Sequence, residues 1–425
     1  MFFYGEYMKF TRNIDAKVYA ECGVVKDRYK YKCVRCGNSN HALFYTYTDY
    51  YGEVTYCLRC VNLGRSDSRT PLRVVEPLRY RELIAYKLSF QLNKEQQYAQ
   101  ERIVDAIKHH HDLMIYAVTG AGKTEITFRG IQFARSLGMN VLFVSPRVDV
   151  IREIYLRLTD AFKNARIDLL YGDEKIEADF VFTVSTVHQL YNFRNHYDVI
   201  IVDEVDAFPL TKDQLLKTQI DKAKTNNGVI IYLTATPEAS LIRKVKKENI
   251  VSITRRYHKE PLVMPEVYYT NIKKTLKKKK LPDIFLNRLR ESLAPRNRKV
   301  FIFVPNIDLL VPMKEVLNKE FEKVETIFSG DPLRKEKIDR MRNGEIDIMI
   351  TTTILERGVT FKRLDVFVVH GEYFNDTSLI QIAGRAGRKL EDTKGNVYIF
   401  AKYNTRGIMK AREKTFQFNR GKVKL

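Results

Sequence analysis

With 425 residues, 44% of them hydrophobic and 12% aromatic, the chain exceeds what one ordinary core needs and is too apolar to be disordered. Lys and Arg outnumber Asp and Glu by 73 to 51, and the net charge of +22 points to a polyanionic partner, either nucleic acid or an anionic membrane surface. The longest apolar runs are strand-sized, well below the ~20 residues that cross a bilayer, and Glu6 and Lys9 interrupt the start where a signal peptide needs an apolar stretch; a cytoplasmic protein is expected, with any membrane attachment peripheral.

Residues 1–90 read as a small module and a connector. Cys33-x-x-Cys36 and Cys57-x-x-Cys60 form two knuckles, and in a cytosolic chain that spacing points to metal, not to a disulfide. Two such knuckles present four thiolates tetrahedrally, the zinc-ribbon arrangement, so Zn²⁺ is the expected ion. Cys22 stands apart and reads as a buried apolar residue, with His41 a weaker spare ligand. Arg35 and Arg59 occupy matching positions inside the knuckles, where their charge offsets that of the thiolates. Tyr29, Tyr31, Tyr45, Tyr47, Tyr50 and Tyr51 either stack on bases or form the ribbon's small core, and spacing leaves both readings open. Residues 66–90, with two prolines and neither Cys nor Gly, read as the connector.

From Leu92 a strand, turn and helix pattern repeats. Leu113–Val118, Val141–Val144, Asp168–Tyr171, Val199–Val202 and Val229–Leu233 have few alternating polar residues, as parallel strands covered on both faces do, and Val148–Phe162 has helical spacing. These belong to a first doubly wound α/β domain over 91–256. A second series over 257–425 has strands at Val300–Val304, Val324–Phe328, Ile346–Thr351, Val366–His370 and Val397–Ala401. The intervening Ile272–Leu281, IKKTLKKKKL, reads as a solvated linker or insertion. Val141–Ile151 (VLFVSPRVDVI) and Val300–Leu310 (VFIFVPNIDLL) share a strand, a Pro and a helix-opening Asp, in keeping with a tandem architecture.

Ala117–Thr124, AVTGAGKT, follows an apolar strand and precedes a helix. Gly120, Ala121 and Gly122 are small enough for backbone N–H groups to converge on phosphate oxygens. Lys123 neutralises the β/γ-phosphates and the Thr124 hydroxyl holds Mg²⁺, with Glu125 next in the loop. The usual pattern opens on Gly, and Ala117 stands there instead. Asp203-Glu204-Val205-Asp206 closes another apolar strand, where Asp203 would hold Mg²⁺ through water and Glu204 would orient and deprotonate the attacking water.

With these two motifs in place, the sequence resembles the superfamily 2 helicases over roughly residues 90–425. The resemblance implies tandem RecA-like doubly wound domains with ATP between them, preceded by the four-cysteine module. Further motifs follow in the family's order. Leu92–Gln97 (LNKEQQ) resembles the adenine-recognition segment, with Gln96 as base reader. Ser145-Pro146-Arg147 and Ser185–Leu190 (STVHQL, with Thr186) resemble strand-contacting segments. Thr234-Ala235-Thr236-Pro237 resembles the motif coupling the ATP and DNA sites. Thr351–Thr360 resembles the fifth motif, with Thr352 and the earlier Asn306 as the second domain's DNA contacts; Val359 follows Gly358 where many relatives have an acid. Gln381–Arg388 (QIAGRAGR) resembles the sixth. Gln381, Arg385 and Arg388, at i, i+4 and i+7, are expected on one side of a helix, the arginines reaching the γ-phosphate and Gln381 sensing the nucleotide.

A four-cysteine module ahead of a short two-domain motor is similar to the ComFA-type late-competence proteins. That resemblance covers nearly the whole chain. It implies a cytoplasmic ATPase assisting uptake of single-stranded transforming DNA, with the ComEC channel and ComFC as partners, and it leaves the oligomeric state open. Two other readings stand beside it: a duplex-unwinding helicase of replication restart or repair, and a zinc-dependent nucleic-acid-binding module without turnover. The intact Lys123, Asp203, Glu204, Arg385 and Arg388 argue against the last.

Overall fold

In a computed structural model, residues 2–4, 21–28, 30–74, 77–172, 178–258, 260–294, 298–359, 361–388 and 392–421 are described; Tyr29 and Thr360 lie outside them. The chain divides into two compact units, Met1–Tyr116 with Lys123–Val251, and Ala117–Gly122 with Ser252–Leu425.

The first unit opens on short antiparallel strands. β1 (Phe2–Tyr4) and β2 (Glu21–Cys22) flank β7 (Pro71–Val74). Between them lie two hairpins, β3 (Val24–Asp27) with β4 (Lys30–Cys33), and β5 (Phe44–Asp49) with β6 (Gly52–Cys57). Strands β4 and β6 end on Cys33 and Cys57, so each hairpin delivers one knuckle.

A seven-stranded sheet follows, built from β8 (Leu113–Ala117), β9 (Val141–Ser145), β10 (Asp168–Leu170), β11 (Phe182–Thr186), β12 (Tyr197–Asp203), β13 (Lys224–Thr234) and β14 (Ile250–Ile253), in the order β10-β11-β9-β12-β13-β8-β14. The pairings from β10 through to β8 are parallel. Every residue of β8, β9 and β11 is buried, as two-faced cover requires. The unit's helices are α1 (Lys94–Lys108), α2 (Phe128–Ser136), α3 (Val148–Ala161), α4 (Gln214–Ala223) and α5 (Ala239–Lys244).

Strands β11 and β14 were not expected from hydropathy. The β11 sequence, FTVST, alternates apolar and hydroxyl residues as a half-exposed strand would, yet it is wholly buried. The hydroxyls find partners inside: Thr183 Oγ1 accepts from the Tyr197 hydroxyl at 3.1 Å. The expected connector is also more than a linker. Residues 77–90 have almost no regular structure, but Ile84 is buried, the Arg135 guanidinium donates to Tyr80 O and Glu82 Oε2, and the Tyr86 ring packs on Phe128 and Phe162.

The second unit holds a six-stranded sheet of β15 (Glu266–Tyr269), β16 (Lys299–Phe303), β17 (Val324–Ile327), β18 (Ile348–Thr351), β19 (Leu364–Val369) and β20 (Val397–Ala401), ordered β15-β20-β19-β16-β18-β17 and parallel throughout. Its helices are α6 (Ile272–Lys277), α7 (Asp283–Leu293), α8 (Leu310–Leu317), α9 (Arg334–Arg342), α10 (Asp376–Ala383) and α11 (Arg406–Asn419). The lysine-rich stretch read as a linker is instead partly α6. Asn271 caps it, and Ile272, Leu276 and Leu281 are buried in the core with Phe285 and Leu310. Helical spacing of Ile272 and Leu276 collects the apolar side chains on one face, and the lysines take the other. Among the described residues no helix is long and apolar enough to cross a membrane.

Leu276→Ala is therefore expected to destabilise the second unit by about 2–5 kcal/mol in chemical denaturation, as loss of a buried Leu does. Lys277→Ala should stay within about 0.5 kcal/mol. Equal, small effects of both would contradict a packed helix here.

Candidate functional site

The sheet of the first unit places its chemistry at the carboxyl ends of its strands. After β8 the chain turns through Gly120 (φ +80°) and Gly122 (φ +70°), left-handed conformations that favour glycine, and reaches Lys123 and the buried Thr124. Residues Glu125–Thr127 form a 3₁₀ turn before α2, tied by Thr127 Oγ1 donating to Thr124 O at 2.6 Å. The Glu125 carboxylate faces Arg157, 3.6 Å away. Within the second unit, a Cβ on Gly120 would lie in ordinary contact with the Arg388 side chain (3.6 Å) and that of Arg256 (3.7 Å), so it is the positive φ that calls for glycine here.

Asp203 ends β12, two strands from β8 with β13 between them. Burial pushes its carboxyl up to about 6; the Lys123 ammonium opposes that shift, and the charges of Glu204 and Asp206 add to it. Asp203 Oδ1 accepts from Glu204 N at 2.9 Å, and Glu204 itself is held at φ +53°, a costly conformation for a residue with a side chain. Asp206 accepts from the hydroxyls of Thr234 (3.0 Å) and Thr236, and Thr236 N donates to Thr234 Oγ1 at 3.0 Å. The acidic motif and the Thr-Ala-Thr motif are thus one hydrogen-bonded unit. Asp206 was not assigned a role from sequence, although its place two residues after Glu204 was visible. Thr124 and Asp203 supply oxygen donors of the kind Mg²⁺ takes.

Gln96 is fully buried and closes a capping box with Asn93: its N–H donates to Asn93 Oδ1 (2.9 Å) and its Oε1 accepts from Asn93 N (2.8 Å). Gln97, with Phe90, Leu92 and Gln100, lines an open cleft of about 600 Å³ beside the start of α1.

In the second unit the sixth-motif residues depart from the expected single helix face. Helix α10 stops at Ala383, and Arg385 and Arg388 lie in the turn beyond it, with Gln381 buried on the helix. Gly384 caps the helix, and in the turn beyond it Gly387 takes φ +59°, where a Cβ would meet Thr393 O at 2.5 Å. The Arg385 guanidinium donates to Glu356 O (2.9 and 2.7 Å) and Val359 O, which fastens this turn to the fifth-motif segment. Arg256, 1% exposed, donates to the carbonyls of Ala386 (2.9 Å), Gly387 and Gly384 (3.3 Å). Burial, then the charge of Arg388, brings its pKa down to about 10. Sequence reasoning placed Arg256 at a domain boundary and assigned it nothing; one arginine among many basic residues carried no signal.

The expected strand-contacting residues come together in pairs. Arg147 follows β9 and Thr186 ends β11, and these are adjacent parallel strands with Thr186 opposite Ser145. Asn306 follows β16 and Thr352 follows β18, again adjacent, with Phe303 opposite Thr351. Asn306 is exposed and Thr186 is buried.

All four knuckle cysteines are buried and their Sγ atoms lie within 4.8 Å of one another. The Cys33–Cys60 and Cys36–Cys57 sulfurs are 3.7 Å apart. That is too far for a disulfide and close to the roughly 3.8 Å edge of a tetrahedron with Zn–S bonds of about 2.3 Å. Asn38 N and Nδ2 donate to Cys36 Sγ and Cys57 Sγ, the N–H···S contacts expected around thiolates. The donor set fits Zn²⁺. The knuckle arginines, however, face the α/β sheet's elements. Arg35, 2% exposed, donates to Tyr191 O (3.2 Å), Asn192 Oδ1 (2.7 Å) and Gly64 O (2.6 Å); Arg59 pairs with Asp213; Gln219 Nε2 donates to Cys36 O at 3.1 Å. The cysteines share one apolar cluster with Leu190, Tyr191, Leu216 and Ile220.

Residues 9–75 match the family described as Competence protein ComFA N-terminal domain, residues 89–239 the Type III restriction enzyme, res subunit, and residues 277–389 the helicase conserved C-terminal domain. The chain is 36% identical to Competence protein ComFA of Bacillus subtilis (strain 168) over 409 residues, covering 94% of this chain and 88% of that protein. It is 33% identical to Competence protein ComFA of Streptococcus pneumoniae (strain ATCC BAA-255 / R6) over 385 residues, covering 88% and 87%. Among solved structures, S. cerevisiae Dbp5 bound to RNA and ADP BeF3 superposes with a TM-score of 0.55 at 15% identity (78% of this chain, 93% of that one). RecG bound to a three-way DNA junction gives 0.54 at 18% (78% and 45%). At these identities the likeness is one of fold, and both α/β units are RecA-like.

Two outcomes are expected. Purified, reduced protein should carry about one zinc per chain, and Arg35→Ala, which strips buried carbonyls of a charged donor, should lower the first unit's stability by about 2–4 kcal/mol with the zinc retained; a loss below about 0.5 kcal/mol would contradict the docking described. For Asp203 the pKa is raised on folding, so the folded state holds the extra proton and stability falls as pH rises from near the ordinary carboxylate value to about 6. Nucleotide-free Asp203→Asn should therefore be more stable than wild type at pH 7.5, and this difference should vanish below about pH 4 in paired denaturation curves. A difference independent of pH would refute the assignment.

Proposed function

This chain belongs to the ComFA family of competence proteins, and we propose that it is an ATP-driven motor that moves along single-stranded DNA during import of transforming DNA. At the coarser level it is a competence-related, helicase-like ATPase. The observation that carries the finer reading is the arrangement at one sheet edge: a buried carboxylate facing Lys123, with the acidic motif hydrogen-bonded through Asp206 to Thr234 and Thr236, beside the strand ends that bear Arg147 and Thr186. Strand β12, which carries Asp203, adjoins β9, the strand before Arg147, and β9 adjoins β11, which ends on Thr186.

In this mechanism Lys123 and the N–H groups of Gly120–Thr124 bind the β/γ-phosphates. Thr124 and Asp203 would hold Mg²⁺, which supplies charge neutralisation on the phosphoryl oxygens. Glu204 takes the proton of the attacking water, and its constrained backbone fixes where the carboxylate can be. Family resemblance assigns Gln381, Arg385 and Arg388 to the transferring phosphate. The bonds Arg385 makes to the fifth-motif backbone suit it to link that segment, next to Thr352, to the state of the nucleotide. The adenine would be read at the start of α1, by Gln96 through its amide nitrogen or by Gln97 in the open cleft. Cys33, Cys36, Cys57 and Cys60 would hold Zn²⁺ in a structural role, because four thiolates would leave no position for a substrate. This reading carries with it the ComEC channel and ComFC as proposed partners and a proposed peripheral place at the inner membrane face.

Steady-state ATP turnover tests the reading. Single-stranded DNA should raise the rate, and duplex of the same length should not, whereas a duplex-unwinding enzyme would also displace strands. Glu204→Gln should bind ATP but lose about 10²-fold or more in turnover, and Lys123→Ala should lose turnover altogether. Wild-type turnover by Glu204→Gln, or indifference to single-stranded DNA, would overturn it.

A further inference from the structure

The tyrosines of the cysteine module divide into two groups. Tyr31 packs on Phe44 (5.6 Å between ring centroids), and Tyr47 and Tyr56 lie edge to face (6.2 Å) beneath Arg65, whose guanidinium is 5.1 Å from each ring. These are the small core. Tyr50 and Tyr51 are not part of it: they are 95% and 83% exposed at the tip of the β5–β6 hairpin, and Tyr45 on β5 is 54% exposed.

Two aromatic residues at a hairpin tip run against turn chemistry, which favours Gly, Asn and Asp. Burial does not explain them either, since neither ring is removed from water. The tip is nevertheless braced. Asp49 Oδ1 accepts from Tyr51 N at 2.9 Å, Arg69 bonds both oxygens of Asp49 (2.7 and 3.0 Å) and Gly52 O (3.3 Å), and Gly52 supplies the φ of +109° that closes the turn. The Tyr50 and Tyr51 rings meet edge to face at 5.3 Å, and the Arg69 guanidinium lies 5.9 Å from Tyr51. The tip that carries the two exposed rings is therefore a braced turn, with the rings in contact.

The surroundings are basic. The adjoining hairpin Val24–Cys33 exposes Lys26, Arg28, Lys30 and Lys32 and has one carboxylate, Asp27. Tyr31 on that hairpin packs against Phe44 at the base of β5, so the two hairpins are neighbours, with the exposed rings at the far end of β5, roughly 20 Å along the strand, a span of several nucleotides. A chain of unpaired bases on a phosphodiester backbone is the ligand that matches exposed rings on one hairpin and exposed cations on the next: any base can stack on an aromatic face, and the cations answer the phosphates. An apolar peptide would use the rings and leave the cations without purpose.

We propose that the tip of the β5–β6 hairpin, Tyr50 and Tyr51 with the cations of the β3–β4 hairpin, is a second single-stranded nucleic-acid site, in which the two rings stack on unpaired bases. This rests on the reading of the chain as a single-strand motor, and adds to it a contact outside the strand ends of the two sheets. The cysteine module then has two sides of use: Arg35, Arg59 and the cysteines fasten it to the first unit, and the hairpin tip holds DNA.

Binding of fluorescein-labelled oligo-dT to the full-length, zinc-loaded protein, followed by anisotropy over a series of salt concentrations, tests this. The Tyr50→Ala/Tyr51→Ala protein should bind about tenfold or more weakly, as expected on losing stacked bases. Its slope of log affinity against log salt should be unchanged, because no phosphate-neutralising group is removed. Tyr50→Phe/Tyr51→Phe should bind like wild type. Lys30→Ala/Lys32→Ala should instead reduce the slope by about 0.7 for each phosphate that is no longer neutralised. In the wild-type protein, 5-iodouracil photocrosslinking should map to the peptide carrying Tyr50 and Tyr51, a readout that needs no variant. Affinity of the double alanine protein within twofold of wild type, or crosslinks that avoid the hairpin, would overturn the proposal. If wild-type protein binds no oligo-dT at low salt, the motor reading fails first, and the two failures are distinct.

Discussion

Asp203 ends a strand packed on both faces, its carboxylate almost out of water and beside the charges of Glu204 and Asp206. Ionising it there is unfavourable unless cations answer it. Lys123 is one such cation, and in the proposed mechanism a divalent ion held with the Thr124 hydroxyl would supply the rest. The site is therefore assembled around a charge that the protein alone does not neutralise. Its electrostatics are best satisfied when nucleotide and metal are bound, which is the condition for hydrolysis. Asp206, three residues on, gives its oxygens to Thr234 and Thr236 instead, so one acidic motif serves both phosphate chemistry and the neighbouring strand end.

The second unit solves a different problem with arginines. Helix α10 ends early at Gly384, which leaves carbonyls to be satisfied, and the buried Arg256 takes three of them. Arg385 reaches back to the fifth-motif backbone. Buried guanidiniums thus shape the sixth-motif turn from both sides, and the charge of Arg388 adds to burial in lowering the pKa of Arg256. At the amino end a similar device recurs: Arg35 carries its charge into carbonyl and amide oxygens of the first unit. The cysteine module is consequently not an appendage, since its cysteines and the first unit's Leu190, Tyr191 and Ile220 lie in one apolar cluster. Loss of metal should be felt beyond the knuckles.

Much of this was legible in the sequence. The covered strands Leu113–Ala117 and Val141–Ser145 stood out because parallel strands under helices need apolar residues throughout, and the glycines and lysine after the first answer most directly to phosphate. The four cysteines declared themselves by spacing alone. What escaped was set by tertiary partners. Strand Phe182–Thr186 hides its hydroxyls by hydrogen bonds that hydropathy does not register. Lysines around Ile272 and Leu276 masked a short packed helix, since only two apolar residues mark its face. The turn after Ala383 holds a left-handed Gly387 close against Thr393, which i, i+4, i+7 counting overlooks. Gln96 read as a base contact is also the second half of an Asn93 capping box, and one motif can serve both ends. Arg35 and Arg59 were visible, but their direction was not: proximity to thiolates suggested charge balance, and the structure turns them to dock the module.

Motion along a single strand is the central claim, and displacement of streptavidin from biotinylated oligonucleotides measures it most directly. The strand carries biotin at one end or the other, and the dissociation rate is followed with ATP, with ADP and with the Glu204→Gln protein. The account predicts ATP-dependent acceleration of release from one end only, absent with ADP and with the variant, because a motor that tracks a polar backbone pushes in a single direction. Release that is unaffected by ATP, or equally fast from both ends, would contradict it.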